Sequence, residues 1–244
     1  MAMELSGITA LVTGGGHRVG KGIALGLAEA GCDLVLHFNT SSEAARETAA
    51  QAEAMGRRVV LVGADLGDPG ALASVIADAG HLAPVQVLIN SAAVFPEDSL
   101  SDLTPEGWQQ TLAVTLTAPV FLTQAFATAL PAGLEGAVVN VTDWRAARPY
   151  PDHFSYSVAK GAIDTFTLAA AEHLAPRIRV NAVALGAILP PPGKDSAYLK
   201  ALAKEIPLQR VGNPEVVADA VLHLLRNDFI TGETLRVDGG AHLR

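Results

Sequence analysis

The sequence predicts an α/β fold: a single Rossmann-type, doubly wound parallel sheet of about seven strands with helices on both faces. Three observations predict it. Short β-branched runs alternate with longer helical patterns along all 244 residues. The strand-like runs are almost continuously apolar, as expected when both faces of a sheet are covered. A glycine-rich turn also separates the first strand from the first helix.

In chain order, Ile8–Val12, Asp33–Phe38, Arg58–Val62, Val85–Ile89, Ala137–Val141, Arg179–Val183 and Thr234–Val237 read as strands. Helical patterns lie near 18–30, 42–55, 69–79, 105–129, 155–174 and 214–226. Pro190–Gly193 lies in a loop expected from about 185 to 196, close to a site. No repeat, low-complexity tract or linker divides residues 1–244, so a single domain is expected.

Composition narrows the classes. Half of the residues are apolar and the net charge is −8, which argues against a nucleic-acid footprint. Cys32 is the one cysteine, so no intrachain disulfide can form, which suits a cytoplasmic location. Met1–Gly7 lacks a basic n-region and a long apolar h-region, so no signal peptide is expected. No charge occurs between Glu106 and Glu135, but Gln109, Gln110, Thr115, Pro119 and Gln124 interrupt that stretch. It reads as a buried helix, or one facing another subunit, rather than a membrane span.

The first strand runs into Thr13-Gly14-Gly15-Gly16-His17-Arg18-Val19-Gly20. Glycines let the backbone approach a diphosphate, and the following helix start offers N–H groups and a positive dipole end. The spacing G-x-G-x-x-G is not met, because Gly14 and Gly16 are followed by Val19; a turn that merely caps a helix is the alternative.

Thr13-Gly14-x-x-x-Arg18-x-Gly20 resembles the short-chain dehydrogenase/reductase pattern T-G-x-x-x-G-x-G, with Arg in place of its middle Gly. That variant is similar to the pteridine-reductase branch. The resemblance extends through Asp65-Leu66, Asn90-Ser91-Ala92-Ala93, Arg179-Val180-Asn181, Gly186, Thr231-Gly232 and Val237-Asp238-Gly239-Gly240. It implies an NAD(P)-binding catalytic domain. Thr13, Gly14, Gly16, His17, Arg18, Val19, Gly20, Asp65, Leu66, Asn90, Ser91, Ala92, Lys160, Gly186 and Ile188 are then cofactor-binding candidates. The second strand ends Leu36-His37-Phe38-Asn39-Thr40-Ser41 without a carboxylate. Nothing there repels a 2′-phosphate, and Asn39, Thr40 and Ser41 can donate to it, so NADP(H) is expected over NAD(H). The Arg that pteridine reductases often carry at position 40 is missing.

Tyr156-Ser157-Val158-Ala159-Lys160 puts Tyr156 and Lys160 on one helical face. A free phenol titrates near about 10, and a neighbouring ammonium favours the phenolate. The superfamily places a serine thirteen residues before this tyrosine; here that residue is Asp143, as the pteridine-reductase resemblance would have it, assisting protonation. Asp143 could instead cap a turn or pair with Arg145, and Thr142 could offer the hydroxyl. Phe95 falls where pteridine reductases stack a pterin, and offset stacking adds roughly 0.5–1.5 kcal/mol; the alternative is plain core. Arg18, Phe95, Asp143 and Tyr156 are thus the substrate-binding candidates. Arg18 could equally be a surface cation.

Departures from the pattern concern the substrate: Thr115 stands for an Asn that orders a relay water, Ala93 for a Ser, and Leu185 for a Pro. Seven scattered histidines lack metal-ligand spacing, and no metal is expected; His153, beside the catalytic segment, is the one to watch. The expected activity is hydride transfer from NADPH to a C=N bond of a pterin- or folate-like small molecule. The alternatives are reduction of a ketone such as a 3-oxoacyl or sugar carbonyl, or a dinucleotide-binding regulator without turnover. The resemblance implies a homotetramer.

Overall fold

The computed structural model describes residues 3–191 and 193–243. Seven parallel strands form one sheet: β1 (Thr9–Val12), β2 (Asp33–Phe38), β3 (Val59–Gly63), β4 (Val85–Asn90), β5 (Gly136–Asp143), β6 (Ile178–Leu185) and β7 (Thr234–Val237). Their spatial order is β3-β2-β1-β4-β5-β6-β7. The order reverses between β1 and β4, which opens a crevice beyond the carboxyl ends of these strands.

Helices α1 (Arg18–Glu29), α2 (Ser42–Ala54), α3 (Pro69–Ala79), α4 (Pro105–Leu112), α5 (Ala118–Ala129), α6 (Phe154–Leu174), α7 (Ser196–Ala203) and α8 (Pro214–Arg226) cover the sheet. Three starts share one device: Asp68, Thr104 and Asn213 accept a backbone N–H of the first turn, and a proline occupies the position whose own N–H would be unbonded.

Side chains alternate along each strand, so the sheet has two separate cores. Ala10 and Val12 of β1 join Ile23 and Leu27 of α1 and Val221 and Leu224 of α8. Leu11 points the other way, into a cluster with Val75 of α3, Leu122 and Phe126 of α5 and Ala170 of α6. Helices α1 and α8 approach closely because α1 presents glycines: a Cβ on Gly22 would lie 2.3 Å from Pro214 Cβ, and one on Gly26 would lie 2.7 Å from Ala218 Cβ. Each fully buried leucine or phenylalanine contributes roughly 1.5–3 kcal/mol by leaving water.

The expected architecture is present, with three differences. Strands β5 and β6 run further than expected, to Asp143 and Leu185, so both residues are held by the sheet. The segment 105–129 is interrupted by a π-helical turn at Ala113–Thr117. This is the one helical stretch among the described residues long and apolar enough to cross a bilayer by length and composition; here Leu122 and Phe126 are buried against the sheet. Finally, α7 begins where the expected loop ends, in a stretch for which no helix is expected; its two turns follow an Asp195 cap.

Candidate active site

A cavity of about 1080 Å³ opens at the carboxyl ends of the strands. That is at the upper end of ordinary ligand pockets and fits a dinucleotide with a second small molecule. Of the residues expected to bind cofactor or substrate, all but Thr13 and Asn90 line it.

Those two are buried beneath the floor. Thr13 Oγ1 accepts the N–H groups of Ser91 and Ala92 and donates to the Ile89 carbonyl, which ties the end of β1 to the end of β4. Asn90 Nδ2 donates to Asn140 Oδ1 at 2.8 Å within the sheet. Both shape the floor from below, because buried polar groups must find partners inside the chain.

At the glycine-rich end, Gly14 adopts φ +65°, open to glycine without strain. A Cβ on Gly20 would lie 2.2 Å from the Gly14 carbonyl oxygen, so the turn can close only with glycine there. His37, not singled out by sequence, buttresses this turn. Its Nδ1 accepts the Gly14 N–H at 3.3 Å and its Nε2–H donates to the Ala64 carbonyl at 3.0 Å. That pairing requires a neutral ring, and burial lowers its pKa accordingly. Gly16, His17, Val19 and Gly20 line the cavity on one side of this turn, and Asn39, Thr40 and Ser41 on the other. Asp65, whose Oδ1 accepts the Gly67 N–H, and Leu66 continue the wall.

Arg18 is a non-glycine residue in left-handed backbone, φ +55°, a conformation that costs on the order of 1–3 kcal/mol. Its Nη2 donates to the Pro190 carbonyl at 2.8 Å, so it spans from the glycine-rich turn to the loop after β6. Gly186 and Ile188 begin that loop. A Cβ on Gly186 would lie 2.5 Å from Asp238 Cα, so its glycine is set by packing against the segment after β7.

At the other end, Tyr156 Oη donates to Asp143 Oδ2 at 3.1 Å. The same carboxylate caps the 3-10 turn Trp144–Ala146 through Oδ1, which accepts the Arg145 N–H at 2.9 Å. Turn cap and tyrosine partner are therefore one residue. Thr142 is excluded as the hydroxyl partner, because it is buried and its Oγ1 donates to the Lys160 carbonyl. Lys160 Nζ donates to the Val141 carbonyl at 2.6 Å and lies 5.5 Å from the Tyr156 ring centroid.

The electrostatics differ from the simple expectation of an acidified tyrosine. Burial, then the charge and hydrogen bond of Asp143, hold the Tyr156 phenol well above its ordinary value. Burial raises Asp143 above the ordinary carboxylate range. Lys160 is pushed down to about 8, chiefly by burial. Tyr156 therefore keeps its proton and faces Asp143 as a donor.

Phe95 lies beside this pair: its ring centroid is 4.7 Å from that of Tyr156, edge to face. His153 stacks on one face of Phe95 at 3.7 Å, which closes that face to a substrate ring. His153 itself caps α6 in left-handed backbone, φ +53°, and its Nδ1–H donates to the Pro96 carbonyl. Asp98 adds to this clamp by accepting from the Ser155 N–H and hydroxyl. Segment 95–98 and the start of α6 thereby hold Tyr156 and Phe95 in a common frame. Thr115, in the π-helical turn, accepts the Val94 N–H at 3.3 Å and so braces the same segment. Ala93 and Leu185 line the cavity without adding a polar side chain.

The residues sequence reasoning missed are His37 and Arg145. His37 could have been flagged as a polar residue inside an otherwise apolar strand beside the turn. Arg145 reaches the cavity because β5 ends at Asp143 and the turn it caps swings the next residues inward.

Comparison with known proteins places this geometry. The family model described as enoyl-(acyl carrier protein) reductase matches residues 16–242. The FolM alternative dihydrofolate reductase 1 from Brucella canis, complexed with NADP, superposes with a TM-score of 0.93 at 34% identity, covering 99% of this chain and 97% of that one. L-xylulose reductase of Bos taurus is 35% identical over 98% of both chains. The 3-oxoacyl-[acyl-carrier-protein] reductase of a Synechocystis strain is 31% identical over 97% of both. With a match over nearly its whole length, the chain belongs to the short-chain dehydrogenase/reductase superfamily of oxidoreductases.

Proposed function

We propose that the protein reduces a C=N bond of a pterin- or folate-like ring with NADPH, with Tyr156 as proton donor. The observation that carries this reading is the Tyr156 Oη to Asp143 Oδ2 hydrogen bond, set beside Phe95 in one cavity. A carboxylic acid in place of a serine adds a second proton-holding group at the reacting end, and burial increases its affinity for that proton.

The residues present fit the dinucleotide. The Gly14–Gly20 cradle leaves no room for a side chain at Gly20, and the start of α1 presents backbone N–H groups suited to a diphosphate. Asn39, Thr40 and Ser41 would hold a 2′-phosphate, and Lys160 would hold the nicotinamide ribose. When bound, NADPH supplies a hydride. Tyr156 delivers its hydroxyl proton to the substrate nitrogen, which would otherwise gain negative charge. Asp143 accepts the Tyr156 hydrogen bond beforehand and, when protonated, returns a proton to that oxygen. Lys160 would stabilise the phenolate electrostatically.

A second reading, NADPH-dependent reduction of a ketone, is favoured by the relatives named L-xylulose reductase and 3-oxoacyl-[acyl-carrier-protein] reductase. It needs Tyr156 and Lys160 but not the acid at 143. Measuring NADPH oxidation with 7,8-dihydropterin and with a carbonyl substrate separates the two. The pterin reading expects dihydropterin turnover that falls at least tenfold, to order of magnitude, in Asp143→Asn. Unchanged pterin turnover in that variant removes Asp143 from the mechanism.

The proposed protein is a cytoplasmic homotetramer. Phe121 on α5 and Leu168 on α6 support this, since they are 46% and 60% exposed although apolar. Light scattering that shows only monomers at micromolar concentration counts against it.

A further inference from the structure

Arg145 carries an unanswered hydrogen-bonding demand. Its side chain is 19% exposed, and its Nη1 is buried with no hydrogen-bond partner. The nearest carboxylate oxygen to Nη1, Asp152 Oδ1, lies 3.9 Å away, beyond hydrogen-bond reach, on a side chain that is 58% exposed. A buried guanidinium nitrogen left in that state is costly, and the group as a whole lines the cavity, where a ligand can share its charge.

Its surroundings say what the ligand looks like. The guanidinium carbon lies 4.9 Å from the Tyr150 ring centroid and 6.0 Å from that of Phe95. Phe95 in turn packs edge to face with Tyr156. Trp144 packs against Tyr150 at 5.6 Å, and Arg148 lines the same mouth. The other acid at this end, Asp143, is committed to Tyr156 and to the Arg145 backbone N–H. The cation therefore sits between aromatic rings, one ring away from the proton donor.

We propose that Arg145 is the specificity-determining residue of the pocket and binds a carboxylate on a flat substrate whose reducible bond lies at Tyr156. The fork of a guanidinium matches a carboxylate in two parallel hydrogen bonds, and the Arg145 side chain lines the cavity without a hydrogen bond of its own to a carboxylate. The aromatic rings hold that fork in plane. The inference deepens the proposed reduction at Tyr156 and rests on it for the position of the reacting bond.

The test uses two matched pairs with NADPH: 7,8-dihydrofolate against 7,8-dihydrobiopterin, and a 3-oxo acid against its methyl ester. In the wild type the carboxylated member of a reduced pair is expected to have a kcat/KM about 10–100-fold higher, mostly through KM. Arg145→Met, which removes the charge at similar volume, is expected to collapse that ratio towards one. Arg145→Lys keeps a cation without the fork and is expected to retain part of it, which covers failure of the methionine variant to fold. Asp152→Asn is expected to raise the ratio, because it removes a competing carboxylate. Equal reduction of dihydrofolate and dihydrobiopterin by the wild type overturns the role of Arg145 and leaves the pterin reading standing. Preference for the 3-oxo acid, lost in Arg145→Met, with no dihydropterin turnover keeps Arg145 and overturns the pterin reading. Equal losses on acid and neutral substrates in both Arg145 variants reduce the residue to a loop brace.

Discussion

At the glycine-rich end of the cavity, the polar groups that shape the turn are bonded within the chain, whereas at the Tyr156 end a buried guanidinium nitrogen is left without a hydrogen-bond partner. Thr13, His37 and the Gly14 and Gly15 N–H groups form a closed set of partners. Around Tyr156, burial raises the proton affinity of Asp143 and of the phenol, and Arg145 keeps a nitrogen without a partner. The first end is a rigid frame for a ligand common to a superfamily. The second stores unmet demands that one particular substrate can satisfy.

The largest expected effect breaks the second end alone. Tyr156→Phe removes the proton donor and is expected to lower kcat by roughly 10²–10⁴-fold. Fluorescence titration should show NADPH binding changed by less than about threefold, since the missing hydroxyl does not touch the glycine-rich turn. A comparable loss of NADPH affinity contradicts the division into two ends.

Gly20→Ala is the converse. Its Cβ meets the Gly14 carbonyl at 2.2 Å, so the turn must open. A stability loss on the order of 1–3 kcal/mol is expected by thermal or urea unfolding. NADPH affinity should fall at least tenfold, to order of magnitude.

Asp143→Asn should trade activity for stability. An acid whose folded-state pKa is raised stabilises the fold below its ordinary pKa, near 3.8, and loses that contribution as pH rises through the folded value. At neutral pH the buried carboxylate is thus a liability, and the variant is expected to unfold later, by on the order of 1 kcal/mol. An unfolding midpoint unchanged from wild type across pH 4–8 would sink the claim that burial perturbs Asp143.

The smallest effect belongs to His37. Its lowered folded-state pKa means that its stabilising contribution is complete above the ordinary value of 6.5 and is lost as pH falls through the folded value. The hydrogen bond to the Ala64 carbonyl, and then the charge of Asp65, oppose burial and narrow that window. His37→Gln keeps one donor and one acceptor without a titrating ring. It should cost no more than about 1 kcal/mol near neutrality and flatten the acid limb of the stability profile. An equally steep acid limb in the variant assigns that limb to other groups.

What could be read in advance follows the same division. The strands, the helices of both faces and the glycine-rich turn were legible because apolar periodicity and glycine placement are local signals. The ends of β5 and β6 were not, because Asp143 and Leu185 are drawn into the sheet by partners on the neighbouring strand. The π-helical turn and α7 are likewise decided by tertiary packing. Tyr156, Lys160 and Asp143 were found by spacing and resemblance, and the cavity brings them together. Thr13 and Asn90 sat in the right motif but under the floor. In the sequence Arg145 reads only as a partner for Asp143, because no spacing rule reveals a guanidinium whose partner is missing. The direction of the Tyr156 shift is also hidden in the sequence, since burial and a neighbouring carboxylate outweigh the opposing charge of Arg145 in the folded chain.

The central claim is that the acid at position 143 gives the Tyr156 end its chemistry. The most direct measurement is the ratio of kcat/KM for 7,8-dihydropterin to that for a ketone in the wild type and in Asp143→Ser, which restores the common residue of the superfamily. The ratio is predicted to fall at least tenfold, to order of magnitude, with ketone reduction retained or improved. A ratio that stays the same in Asp143→Ser contradicts the account.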